Sequence, residues 1–582
     1  MNKYILIMLV PFVLAGCNIE RIPYGSYSAE KIQEDKETAL DILLNGCYSQ
    51  LQASTDVMHR TGEYPGDNIM KQNATTNNFS QYMSYKHTAT NNHLPAIWKN
   101  GYKIISQSSN IIKMADEGES PEIAQKLGEA YFMRGMMYFY LCRIFGMPYY
   151  QSPEKNLGVP IVNIPDNLDG LKLPDRSTVK DVYTQAVNDL RKAEKLMTIY
   201  KSSAYISKYA AQALLAKVYA YMSGTYENPN LEYADSCFYY ANKVIDEGPF
   251  KLLERSSFMT YNEMAPDNKS QTETIFAVKR LDSEITNYFP IIGSMYASIQ
   301  DVGWGEIYTS QKYIDLLNET GFNNWVTGEF VDARAAFIHP QYAEENGMKI
   351  RVFRFVHEVY NDAGELSAYT YKQPAIENEN GRLVVKIDNQ KYYLTPIDET
   401  NHKYSIEYNG KECQGVDDYF ITLNNGYPMF YSYKCSLQDG IPQLHSPIVA
   451  RLAEMYLLCA EAKAKKGEYD IAKDFLNEVR ERSIVGGGYQ ELTAENAKQR
   501  IMKERQLELA YEADRGFDVY RVGETMVRRY PGFYNTIWEI PPTSPLVVQL
   551  IPQSEINAYP GVLTQNPVSY THLRAHETSQ DL

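Results

Sequence analysis

Apolar residues recur along this chain with two different periods, and the change of period divides it. Thr38–Leu51 reads as a first helix. Trp98, Tyr102, Ile105 and Ile112 fall on one face of a second. Ile123, Leu127, Ala130, Met137 and Leu141 form the stripe of a third, over 121–146, which Gly146-Met147-Pro148 ends. Ser177 or Thr178 can cap a helix carrying Val179, Val182, Ala186, Leu190 and Ala193. Two more follow, one through Ile206, Ala210, Leu214 and Val218 and one over 232–246. Near the end, Leu452, Met455, Tyr456 and Cys459 fall at i, i+3, i+4 and i+7. Gly467 breaks that helix, and Ala472, Phe475, Leu476 and Val479 repeat the spacing. That is a helical hairpin, and about four such hairpins are predicted, split between 96–250 and 447–516.

The middle follows a period of two. Residues 251–300 and 345–435 alternate apolar and polar positions and are rich in Tyr, Val and turn dipeptides. Residues 383–387 and 391–394 flank Asp388-Asn389-Gln390 as a hairpin. Residues 60–95, rich in Asn, Thr and Tyr, read as loop.

The first residues change the compartment. Lys3, the uncharged run 4–14 and Leu14-Ala15-Gly16-Cys17 form a secretory signal, too short to span a membrane. Its end looks like a bacterial lipobox, with Cys17 acylated. Two or more acyl chains hold a protein stably to a bilayer.

Of 582 residues, 57 are Lys or Arg and 72 Asp or Glu, for a net charge of −15. This argues against a nucleic-acid partner. Tyrosine, at 49 against 20 Phe, supplies flat rings with a hydroxyl, which suit sugars, peptides or helix contacts alike. Cys142 and Cys459 read as core residues. Cys413 and Cys435 are left open as a pair that an oxidising compartment would allow to bridge. Residues 568–582 resemble a translated sequencing adapter, so His572 and His576 carry no weight.

The chain shows no H-E-x-x-H, G-x-S-x-G or Walker pattern, and no metal or cofactor set. Glu504, Arg505, Glu508, Arg515, Asp518 and Arg521 read as a structural ladder of i,i+3 and i,i+4 pairs.

At these residues the chain resembles the SusD/RagB family of Bacteroidetes surface lipoproteins. Leu44-Asn45-Gly46-Cys47-Tyr48 and Trp98-x-x-x-Tyr102 with Asn110 match its early blocks. Glu129-Ala130-Tyr131-Phe132-x-Arg134-Gly135-x-x-Tyr138-Phe139 runs on to Phe145-Gly146-x-Pro148. Lys208 to Tyr219 follows, then Arg451-Leu452-Ala453-Glu454-Met455-Tyr456, Leu476-Asn477-x-Val479-Arg480, Glu504-Arg505-x-x-Glu508-Leu509, Ile551-Pro552-x-x-Glu555-Ile556 and Gln565-Asn566-Pro567. With the Ile551–Ile556 and Gln565–Pro567 segments counted as one, eight blocks in order make the likeness specific.

The resemblance implies a mainly α fold. Four tetratricopeptide-like hairpins would form a right-handed scaffold under an irregular lobe with short β-hairpins. It divides the chain into a signal peptide (1–16), a lipidated tether (17–37), a helical region (38–250), a ligand-binding lobe (251–446), a C-terminal helical region (447–567) and the foreign tail (568–582). It further implies an outer-membrane, exterior-facing protein that binds glycan without catalysis and passes it to a SusC-like TonB-dependent transporter. A RagB-like peptide cargo is the alternative. Trp98 is assigned to the core and Trp538 left open. Trp304 and Trp325 are candidate ring contacts, with Asp67, Asn68, Tyr82, Tyr85 and His87 as further ligand contacts from the 60–95 loop.

Overall fold

The computed structural model describes residues 36–71, 80–163, 174–289, 291–532 and 537–567. The signal peptide, Cys17, its tether and the 568–582 tail lie outside them.

The helical stripes become helices α1 (Lys36–Glu63), α2 (Leu94–Met114), α3 (Pro121–Phe145), α4 (Val179–Leu196), α5 (Lys208–Met222), α6 (Leu231–Glu247), α7 (Leu452–Lys465), α8 (Tyr469–Ser483) and α9 (Ala497–Leu509). Ser120, Thr178, Ser207 and Asn230 each cap a start by accepting from a free backbone amide. Pairs α1–α2, α3–α4, α5–α6 and α7–α8 form four antiparallel hairpins. Helix α7 packs directly on α6, across some 200 residues of sequence, so the C-terminal hairpin continues the N-terminal row.

The two larger antiparallel sheets lie in the 345–435 region. One has five strands in the order Thr395–Asp398, Lys403–Tyr408, Lys411–Tyr419, Arg351–Tyr360, Leu366–Lys372. The other has three, in the order Gln390–Tyr393, Arg382–Ile387, Ile376–Glu379. Phe353, Phe355, Val385, Ile387, Tyr404 and Ile406 fill the space between them.

Three expectations shift. Within 60–95 the described residues are only partly surface loop: α1 runs on to Glu63, Ile69–Lys71 is a buried strand and Ser80–Ser84 a short, mostly buried helix, while 86–93 is turn and loop with Lys86, Thr88 and Thr90 exposed. The buried polar side chains find interior partners, which composition does not show. Within 251–300 the described strand is Thr274–Ala277, paired with Ile448–Arg451. In the 382–393 hairpin Gln390 belongs to the strand, because Asp388 and Asn389, both at positive φ, make a two-residue turn.

The charged C-terminal segment is structural, but it is only in small part a ladder of i,i+3 and i,i+4 pairs. Arg334 reaches Asp332 and Glu504, Arg451 reaches Glu273, Glu508 and Glu512, and Arg521 reaches Glu461. Within the segment, Arg521–Asp518 is an i,i+3 pair. Arg334–Asp332 is local as well, whereas the contacts of Arg334 with Glu504, of Arg451 and of Arg521 with Glu461 join segments far apart in sequence, with the arginines fully buried. Desolvated charges of this kind must be paired. Glu273, Asp332 and Arg334 belong to the region that carries the sheets, so the network ties that region to α8 and α9. Cys142 and Cys459 are core residues, and Cys413 and Cys435 are both free thiols.

Candidate functional site

One indole is held out to solvent by a backbone that leaves it little freedom. Residues Ile299 and Val302 exchange hydrogen bonds, Ile299 N to Val302 O at 2.9 Å and Val302 N to Ile299 O at 3.0 Å. Between them Gln300 and Asp301 both have positive φ, the geometry of a tight two-residue hairpin turn. Next, the amides of Trp304 and Gly305 both donate to Ser294 O, at 2.7 and 2.9 Å, and Glu306 N donates to Met295 O at 3.0 Å.

Gly303 and Gly305 also have positive φ. A Cβ at 303 would press on Ala297 O, and one at 305 on the Tyr431 hydroxyl. Gln443 locks the underside, its amide donating to Ala297 O and Val302 O while its oxygen accepts from Ser436 Oγ. Trp304 remains 45% exposed beside Phe289, itself 39% exposed, with ring centroids 6.5 Å apart at 43°.

The strand Ile307–Thr309 continues from this loop and pairs with Ile69–Lys71, Lys71 opposite Ile307. Lys71 Nζ meets Glu306 at 2.9 Å. A second tight hairpin, Leu423–Asn424 with Tyr427–Pro428, turns on Asn425 and Gly426, both at positive φ. Asn424 Nδ2 donates to Tyr308 Oη at 3.2 Å, and the Tyr308 ring lies 5.9 Å from that of Tyr431. Half-buried Tyr427 and Tyr433 border this floor. His339 stacks on Tyr433 at 3.7 Å. The arrangement is a shelf of rings on two rigid hairpins, with amide and carboxylate groups at its edge.

The 60–95 candidates are not on this shelf. Asp67 is buried under Arg515 and Lys312; burial pushes its carboxyl up, but those two charges hold it well below the usual carboxylate range. Asn68, also buried, donates to Glu63 Oε1 at 3.0 Å and accepts from Gln506 Nε2 at 2.9 Å. Tyr82 lies in the main core. Tyr85 donates to Pro65 O at 2.8 Å under the Arg528 guanidinium. His87 Nε2 meets Leu546 O at 3.0 Å, and burial pushes its pKa down to about 4.

Of the tryptophans, half-buried Trp325 spends its N–H on Ala335 O at 2.9 Å and packs against the core. Trp98 meets Phe145 edge to face at 5.1 Å within the scaffold. Trp538 meets Tyr369 edge to face at 5.5 Å. Trp304 is thus the candidate that the structure leaves open to a ligand. Phe289 and Tyr427 were missed, although the dipeptide Asn425-Gly426 was a legible turn signal beside Tyr427. A separate cavity of about 780 Å³ runs along α2 past Trp98, Tyr102, Lys103 and Tyr559, and it shares no described lining residue with the shelf.

Two family models match consecutive parts of the chain. One, described as starch-binding associating with outer membrane, covers residues 23–220, and the other, the SusD family, covers 272–568. The chain belongs to the SusD/RagB family.

A SusD-like protein of Bacteroides ovatus is 25% identical over 337 residues, 56% of this chain and 54% of that one, so the chain spans about half of that relative. SusD-like protein P2 of Formosa agariphila is 23% identical over 549 residues, 90% of this chain and 91% of its own. Among solved structures, a SusD superfamily protein from Bacteroides thetaiotaomicron superposes with TM-score 0.67 at 24% identity, over 91% of this chain and all of that one. A SusD-like carbohydrate binding protein from Bacteroides vulgatus gives 0.61 at 15%, over 90% and 96%. The SusD fold thus accounts for the hairpin row and the lobe above it. No helix among the described residues is long and apolar enough to cross a membrane.

Proposed function

We propose that this SusD/RagB protein is a non-catalytic glycan receptor, lipid-anchored through Cys17 on the exterior of the outer membrane, that passes oligosaccharides to a SusC-like TonB-dependent transporter. The observation that carries the reading is the Trp304–Phe289 shelf. Sugar rings present C–H faces that stack on aromatic faces, while their hydroxyls pair with amides and carboxylates, and concave or shelf-like sites of this composition suit them. A rigid presenting backbone lowers the ordering cost of binding. The carbohydrate binding named for the Bacteroides vulgatus relative supports the same ligand class. The lipobox at 14–17 supports the anchor.

Calorimetry with the soluble chain 18–567 against plant, host and microbial glycans, with a peptide mixture alongside, tests this. We expect a glycan to bind and Trp304→Ala to weaken it by about tenfold or more, near 1.4 kcal/mol, with unchanged circular dichroism. Binding confined to peptides would move the protein to a RagB-like cargo.

A further inference from the structure

We propose that the shelf selects glycans free of carboxylate, sulfate and phosphate groups, an inference that rests on the glycan-receptor role above. The segments that carry the rings hold carboxylates and no cation, and the neighbouring cations are spent on carboxylates. The continuous stretch 281–311, which carries both Phe289 and Trp304, contains Asp282, Glu284, Asp301 and Glu306 and not one Lys or Arg. The stretch 413–433, which carries the Tyr427 hairpin and Tyr431, again contains no Lys or Arg, and its two carboxylates, Asp417 and Asp418, are each taken up by an arginine of the neighbouring strand, Arg351 and Arg354. Asp301 is exposed in the turn three residues before Trp304.

The cations that border these stretches are already engaged. Lys71 is buried and bonded to Glu306 at 2.9 Å. Arg280 reaches Asp56 at 2.9 Å and Thr55 at 2.7 Å. Lys279 pairs with Asp267 at 2.5 Å. Lys434 is buried and donates to the carbonyls of Glu508 and Ala510, both at 2.8 Å. Lys312 is bound to Asp67 at 2.7 Å, beyond the end of the strand opposite Trp304.

Recognition of an acidic sugar needs a guanidinium or ammonium to replace the water stripped from its anion. Recruiting Lys71 would break its pair and leave Glu306 facing the ligand. A sugar hydroxyl has the opposite requirement, because it can donate to Asp301 and Glu306 as they stand. The net charge of −15 adds a long-range field that keeps polyanions away at low salt.

The test is calorimetric titration of the soluble chain 18–567 with uncharged polysaccharides (dextran, laminarin, galactomannan, arabinoxylan) and anionic ones (polygalacturonate, alginate, chondroitin sulfate). It is repeated in Trp304→Ala and from about 50 to about 500 mM NaCl. We expect binding in the uncharged set, lost in Trp304→Ala and changed less than about twofold by salt. Binding of an anionic glycan that Trp304→Ala abolishes would overturn this inference while leaving the receptor role standing. Binding of peptides alone, or glycan binding indifferent to Trp304→Ala, would overturn the receptor site itself.

Discussion

Arg515 grips Asp67 with two parallel bonds, Nε to Oδ1 at 2.6 Å and Nη2 to Oδ2 at 2.9 Å. The pair joins the segment between α1 and the Ile69 strand to the short helix Arg515–Arg521, across more than 440 residues of sequence. Lys312 Nζ closes on the same carboxylate at 2.7 Å. Asp67 is therefore a fastening under the strand that pairs with the Trp304 segment, its carboxylate taken up by Arg515, Lys312 and Gln506.

Removing one partner of such a buried pair leaves the other uncompensated. Asp67→Ala should lower stability by about 3–5 kcal/mol, read as a shift of the denaturant midpoint at unchanged slope. An exposed carboxylate would show almost no effect.

Trp304 and Trp325 should separate cleanly. Trp325→Ala removes a packed ring and its bond to Ala335 O, and should cost about 2 kcal/mol or more. Trp304→Ala should leave the melting temperature within about a degree, since nearly half of that ring already faces water. Differential scanning calorimetry of both variants decides it.

Acid should weaken the fold through its buried histidines. Burial pushes His445 down to about 3 and His87 and His339 to about 4, against about 6.5 in an unfolded chain. A depressed folded value means that the neutral ring is favoured in the fold. The stability this contributes is complete above pH ~6.5 and is lost as pH falls toward 4. His339→Phe keeps a ring to stack on Tyr433 and should flatten the fall in melting temperature over that window.

Glu63 should act in the opposite sense. Burial pushes its carboxyl up to about 7, so the fold favours the protonated form, and stability is lost as pH rises from about 4.3 to about 7. Glu63→Gln preserves an acceptor for Asn68 Nδ2. Its melting temperature relative to the parent should rise more at pH 8 than at pH 4.

The six cysteines beyond Cys17 are all free and buried. Thiol titration of the denatured soluble chain should return six thiols, and a reductant should leave the melting temperature unchanged. A result of four would mean that one bridge forms.

Much of the scaffold could be read directly from the chain. A helix 18 residues long, such as α4, needs only its apolar stripe and its Thr178 cap, both of which are local in sequence. The Asp388-Asn389 turn is likewise local, although its register was one residue off. The ordered blocks from Leu44 to Pro567 sufficed to place the chain in its family.

What the chain does not state locally is which polar residue is covered. Asp67 and Asp301 are the same residue type in Tyr- and Gly-bearing stretches. One is sealed by Arg515 from the far end of the chain, and the other stands in a turn beside an open indole. Likewise Trp304 and Trp325 differ because Ala335 takes up the N–H of one, while Gly303, Gly305 and Gln443 hold the other outward. Burial is a sum over partners distant in sequence, and no period or composition carries that sum. Helices and family were therefore decided by the sequence alone, while the solvent-facing ring and the buried charge network were decided only when the distant segments met.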